Sequence, residues 1–187
     1  MRLFIATSFP AEVIGDLNAR VSRLKPRLPA ASWVRPETQH LTFAFLAEQP
    51  DTLVDAIAPP LTNALRTILR FDASFSGCGF FPNPRHARVG WIGLQPEENF
   101  VAIASSVRDV VKKNGVELDG ADFKPHLTLM RIRDRWPPAS IDLFNTSLRE
   151  YHSTPFAVND VTLYSSQLNP HGAIHTPLRT FSLAVSA

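Results

Sequence analysis

The chain has 187 residues, 44% of them hydrophobic and 19% charged, with 19 Lys and Arg against 17 Asp and Glu. That composition argues against a disordered chain, and a formal charge of +2 argues against a polyanion-coating protein while leaving room for a local basic pocket. With one cysteine, Cys78, an internal disulfide and a Cys-rich zinc site are excluded as well.

Arg2 to Phe9 reads as a first strand. Pro10 opens a helix to about Lys25, with Val13, Ile14, Leu17, Val21 and Leu24 at helical spacing. Pro26 and Pro29 end it, and Trp33 to Pro36 connects to a buried strand at Gln39 to Leu46. Asp51 is the expected N-cap of a helix to about Leu69, which Pro59-Pro60 is expected to break in two. Strands follow at Phe71 to Phe80 and Ala87 to Leu94, around a loop at Phe81 to Arg85. Glu97 to Lys113 reads as a helix stopped by Asn114-Gly115. His126 to Ile132 is a strand, Trp136-Pro137-Pro138 a break, and Ile141 to Tyr151 a short helix. Phe156 to Ser165 and Ile174 to Val185 are the last strands, with Asn169-Pro170-His171-Gly172 as their turn.

Helices mixed with adjacent strand pairs indicate an α+β fold rather than a doubly wound parallel sheet. No linker separates independent domains, so residues 1–187 are read as one unit. No apolar run approaches the roughly 18 residues of a membrane helix, and the N-terminal apolar stretch is too short for a secretory signal. A soluble, unexported protein is expected, with no membrane partner. Cys78 is expected to be a buried small side chain rather than a nucleophile, in a reducing cytoplasm.

One pattern occurs twice. His40-Leu41-Thr42-Phe43 is echoed by His126-Leu127-Thr128-Leu129, with the histidines 126 − 40 = 86 residues apart. In a strand, residues i and i+2 share a face, about 6.5–7 Å apart. His40 with Thr42, and His126 with Thr128, therefore face one way while their apolar neighbours pack behind. A single histidine on an apolar strand is usually a hydrogen-bonded structural residue. The same pattern repeated on two strands points instead to one site with two imidazoles and two hydroxyls. Such a set suits in-line displacement at phosphorus: one neutral histidine takes a proton from water, and the protonated other gives one to the departing oxygen. The threonines donate to the non-bridging oxygens. Histidine suits both roles because its ordinary pKa is about 6.5.

The double motif resembles the two-histidine phosphoesterase superfamily, and within it the RNA 2′,3′-cyclic phosphodiesterases, or 2′-5′ RNA ligase family. Arg2-Leu3-Phe4-Ile5-Ala6, Trp33, Phe123-Lys124-Pro125 with Met130-Arg131, and Val161 to Leu168 with Gly172-Ala173 are similar to that family too. The resemblance implies a bilobal α+β fold of two pseudo-symmetric sheet-and-helix lobes around a central groove. It implies hydrolysis of 2′,3′-cyclic phosphate at RNA ends to a 2′-phosphomonoester, with no metal and no cofactor. It implies His40 and His126 as catalytic and Thr42, Thr128 and Arg131 as substrate-binding, with His40 as acid and His126 as base. Some members also join tRNA halves reversibly through 2′-5′ linkages. Ala47 stands where the family carries glycine, and His175 where it carries tyrosine.

Strict alternation puts Arg131 on the face opposite His126, so it reaches the site only if the strand bends or ends there. Lys124 is a second source of charge at the groove mouth. His86, His152, His171 and His175 fall at no metal-ligand spacing and are expected to be surface or structural residues. Of the aromatics, Phe9, Trp33 and Phe81 lie in predicted loops from which a base could be stacked. A monomer is expected, since one cleft per chain holds both motifs. Competing readings are another phosphoester substrate, such as a cyclic phosphate of ADP-ribose or a 2′-5′ oligonucleotide, and a non-catalytic RNA-end binder. A serine hydrolase reading finds no Gly-x-Ser-x-Gly elbow to support it.

Overall fold

The computed structural model describes residues 1–120, 122–169 and 172–185. Its elements are β1 (Arg2–Thr7), α1 (Ala11–Leu24), β2 (Ser32–Trp33), β3 (Leu41–Glu48), α2 (Thr52–Leu65), β4 (Phe71–Phe81) and β5 (Val89–Gln95). They continue as α3 (Glu97–Lys113), β6 (His126–Arg131), α4 (Pro138–Leu148), β7 (Phe156–Val158), β8 (Asp160–Asn169) and β9 (Gly172–Ser182). The strands form two sheets, ordered β3-β1-β8-β9 and β2-β6-β5-β4-β7. Every ladder between these strands is antiparallel. The expected α+β fold with two sheet-and-helix halves is therefore present.

The halves repeat one plan. In β1-α1-β3-α2 the motif strand β3 pairs with β1, and in β5-α3-β6-α4 the motif strand β6 pairs with β5. One strand that follows each unit crosses to the other's sheet: β4 pairs with β5, and β8 pairs with β1. Each helix between the paired strands buries one apolar stripe. In α1 it is Val13, Ile14, Leu17, Val21 and Leu24; in α3 it is Phe100, Ile103, Ala104, Val107 and Val111. Buried residues of both halves belong to one continuous hydrophobic cluster.

Several expectations need correction. Helix α2 runs unbroken through Pro59 and Pro60. These prolines remove the bonds to the carbonyls of Asp55 and Ala56, and those two residues are exposed, so water can satisfy the freed groups. Burial of Leu53, Val54, Ile57, Leu61 and Leu65 holds the helix together instead. Asp51 precedes α2 but makes no side-chain cap; its carboxylate lies 3.7 Å from the amino group of Met1. Helix α4 starts at Pro138, because a proline at the start of a helix gives up only an N–H that has no partner within the helix. The span Phe156 to Ser165 divides into β7, which pairs with β4, and β8, which pairs with β1. The turn expected at Pro170 and His171 lies outside the described residues.

Candidate active site

Motif strands β3 and β6 belong to different sheets and approach each other across a groove of about 710 Å³. His40, Thr42, His126, Thr128 and Arg131 all line it. The five residues singled out in the sequence are thus brought together.

The two histidines are held in the same way. His40 Nδ1–H donates to the Thr38 carbonyl at 2.7 Å, and His126 Nδ1–H donates to the Lys124 carbonyl at 2.7 Å. A carbonyl oxygen can only accept, so each Nδ1 carries the proton in the neutral ring. Each Nε2 is left as a lone pair, neither buried nor hydrogen-bonded among the described residues. The hydroxyls of Thr42 and Thr128 likewise make no side-chain hydrogen bond among the described residues. Both can donate into the groove.

Each histidine is fixed from the residue before it. Gln39, 6% exposed, exchanges hydrogen bonds with Asn18 of α1 (2.9 and 3.2 Å) and donates to the Val34 carbonyl at 3.3 Å. In the second motif the buried Pro125 serves, since its ring restricts the backbone on both sides. The Asn18–Gln39 pair was not legible in the sequence, because the partners are 21 residues apart and carry no motif.

Arg131 reaches the groove through a β-bulge. Gly90 pairs with Met130 and Trp91 with Thr128, which leaves Leu129 as an extra residue in β6. The extra residue resets the alternation, so Arg131 returns to the face of His126 and Thr128. Strand β3 does the same. Ile5 pairs with Ala44 and Ala6 with Thr42, leaving Phe43 extra. Both bulges fall three residues after the histidine (43 − 40 = 129 − 126 = 3), on side chains that are 1% exposed. Phe45 therefore occupies the position equivalent to Arg131, lines the groove and is 60% exposed.

A phenyl ring packs beside each histidine. Phe4 lies 4.9 Å from His40 and Phe81 lies 4.8 Å from His126. Burial among these groups pushes the His40 pKa down to about 4, against a raising contribution from the Thr38 carbonyl and with a smaller lowering from His175. Burial also lowers His126, opposed by the Lys124 carbonyl and reinforced by the cations of Lys124 and Arg131. Both imidazoles are consequently neutral near pH 7 in the free protein. Arg2, Lys124 and Arg131 supply positive charge to the groove; Arg108 is paired with Asp119 at 3.5 Å. Lys124 also sits over the Trp91 ring at 4.8 Å.

His175, expected to be a surface or structural residue, lines the groove 5.2 Å from His40. His86 and His152 are exposed, and His171 lies outside the described residues. Phe9 packs inside against Phe75 and Phe156, and Trp33 pairs with Met130 under Lys25, so neither forms the groove wall. Cys78 is half-buried with its thiol near the Asn145 carbonyl at 3.7 Å, and burial pushes its pKa up to about 11. Such a thiol is no nucleophile at neutral pH. Among the described residues no three His, Cys, Asp or Glu side chains gather as a metal-binding group. No described helix is long and apolar enough to cross a membrane.

Two antiparallel sheets presenting paired His-x-Thr strands to one groove define a two-histidine phosphoesterase fold. Solved structures agree. A Thermus thermophilus protein superposes with a TM-score of 0.80 at 28% identity over 100% of both chains. Escherichia coli LigT, crystallised with 3′-AMP, superposes with a TM-score of 0.75 at 24% identity over 97% of each chain. The chain belongs to the 2′-5′ RNA ligase superfamily, whose family model matches residues 14–170. Among its relatives, an RNA 2′,3′-cyclic phosphodiesterase of Archaeoglobus fulgidus is 35% identical over 97% of this chain and 99% of its own length. One from Thermus thermophilus is 33% identical over 98% of this chain and 90% of its own.

Proposed function

We propose that this chain hydrolyses 2′,3′-cyclic phosphates, on RNA ends or nucleosides, to 2′-phosphomonoesters by paired imidazole acid–base catalysis. The observation that carries this is the matched pair of Nε2 atoms, each oriented by an Nδ1–H bond to the carbonyl two residues earlier and each accompanied by a threonine hydroxyl. The names of the Archaeoglobus and Thermus relatives support the same substrate class.

In the proposed reaction His126 takes a proton from water, whose oxygen bonds to phosphorus. The bond from phosphorus to the ribose 3′ oxygen breaks, and His40 delivers the proton to that oxygen. Thr42, Thr128 and Arg131 donate to the non-bridging oxygens. Because His40 is neutral in the free protein, its proton is taken up with the substrate, whose negative charge offsets the desolvation of the imidazolium. A 5′-hydroxyl in place of water would give a 2′-5′ linkage by the same steps, which accounts for reversible ligation as a second activity. Phe45, exposed on the groove wall, is the proposed stacking surface for a base. One groove per chain supports a monomeric enzyme, and a lone free cysteine suits a reducing cytoplasm.

The test is hydrolysis of adenosine 2′,3′-cyclic phosphate in excess EDTA by the wild type, His40→Ala and His126→Ala, with the product isomer identified. Turnover to the 2′-phosphate, lowered about 10²-fold or more in each variant, is expected. No turnover by the wild type, with or without added metal, would reject the assignment in favour of another phosphoester or of RNA-end binding.

A further inference from the structure

The ring set edge-on to His126 is a phenyl: Phe81, at 4.8 Å and 81°. Edge-on to His40 stands an imidazole instead: His175 of β9, at 5.2 Å and 86°. His175 also packs 4.8 Å from Phe4. A phenyl would make these contacts at no polar cost. The imidazole leaves Nδ1 buried without a partner among the described residues, and an unmade hydrogen bond of this kind is destabilising. Its Nε2 is neither buried nor bonded there, and the residue lines the groove beside its cross-strand neighbour Ser166, which lines the same wall.

His40 and His126 have their tautomers fixed by backbone carbonyls. Among the described residues no protein group fixes that of His175. The less costly neutral form buries the bare Nδ1 and carries its proton on Nε2. A phosphoryl group held at His40 can bridge two imidazoles at this spacing. We propose that His175 is a third groove histidine, a hydrogen-bond donor through Nε2 to the phosphoryl oxygens of the bound nucleotide. The proposal rests on the function given above and names a binding contact that the paired motifs do not include.

Calorimetric titration of wild type, His175→Phe and His175→Tyr with adenosine 2′-monophosphate and with inorganic phosphate tests it. His175→Phe, which keeps the ring packing, is expected to weaken both ligands about tenfold, the loss of one hydrogen bond to a charged group. His175→Tyr, which restores a donor, is expected to regain part of that loss. In wild-type protein, ¹⁵N-resolved imidazole spectra are expected to find neutral His175 protonated on Nε2, opposite to His40 and His126. Equal affinity of His175→Phe and wild type for both ligands, or His175 protonated on Nδ1, overturns the proposal and leaves the catalytic assignment standing. A wild type that binds neither ligand overturns both.

Discussion

His40 links pH to stability through its burial. Its pKa lies near 4 in the folded protein against an ordinary 6.5. Between those values the unfolded chain takes up a proton and the folded chain does not. The folded state is therefore least disadvantaged above pH 6.5, loses stability as pH falls toward 4, and loses no more from this group below that. From pH 7 to pH 5 the loss is about 2 kcal/mol. Urea denaturation at the two pH values is expected to find His40→Gln losing less stability than wild type by about that amount; equal losses would reject the burial account. Among single residues, His40, Thr42, His126 and Thr128 were legible because strand alternation alone puts i and i+2 on one face. Gln39 was not, and His175 stood out only as a departure from the family's tyrosine, not as a neighbour of His40. The first depends on an amide pair with Asn18, and the second on a cross-strand register that no local pattern encodes.

The motif strands owe the placement of their groove-lining residues to irregularity. An unbulged β6 would turn Arg131 away from the groove, so the sequence pattern alone left its place open. The extra residues Phe43 and Leu129 resolve it, and their signal, an apolar run that breaks alternation, looks the same as an ordinary buried strand. Arg131→Met is expected to raise KM for a nucleoside cyclic phosphate about tenfold or more, the loss of a charge-assisted hydrogen bond. An unchanged KM would separate Arg131 from the substrate. A further irregularity follows in β3, where Leu46 is extra and Ala47 has a φ of 57°, in the left-handed region that favours glycine. Ala47→Gly is expected to stabilise the protein by about 0.5–1 kcal/mol by urea denaturation, since relief of strain exceeds the added freedom of the unfolded chain. In α2 the proline pair misled the helix boundary because propensity is local and burial is not. Pro59→Ala, at an exposed position, is expected to raise stability by about 1 kcal/mol, the restored hydrogen bond being partly offset by a looser unfolded state.

At the scale of the molecule, the groove exists because each half completes the other's sheet. β4 leaves the first unit to pair with β5, and β8 leaves the second to pair with β1. Each unit alone supplies only a two-stranded ladder, β1 with β3 or β5 with β6. The echo of the two motifs made the halves legible, but the exchange of strands was not, since it is a property of long-range pairing rather than of any segment. The exchange, with one apolar cluster spanning both halves, implies that the chain unfolds as a unit. Differential scanning calorimetry is expected to give a single transition whose calorimetric and van't Hoff enthalpies agree. Two resolved transitions would mean that the lobes are independent domains that merely touch. A ligand gripped by both motifs must then raise that one transition, because it binds the folded state alone. Inorganic phosphate at about 100 times its dissociation constant adds about 2.7 kcal/mol to the folded state, enough to move the midpoint by several degrees. Thr42→Val and Thr128→Val, one in each lobe, should each reduce the shift at a fixed phosphate concentration. If only one of them does, the anion sits in one half of the groove rather than between the two.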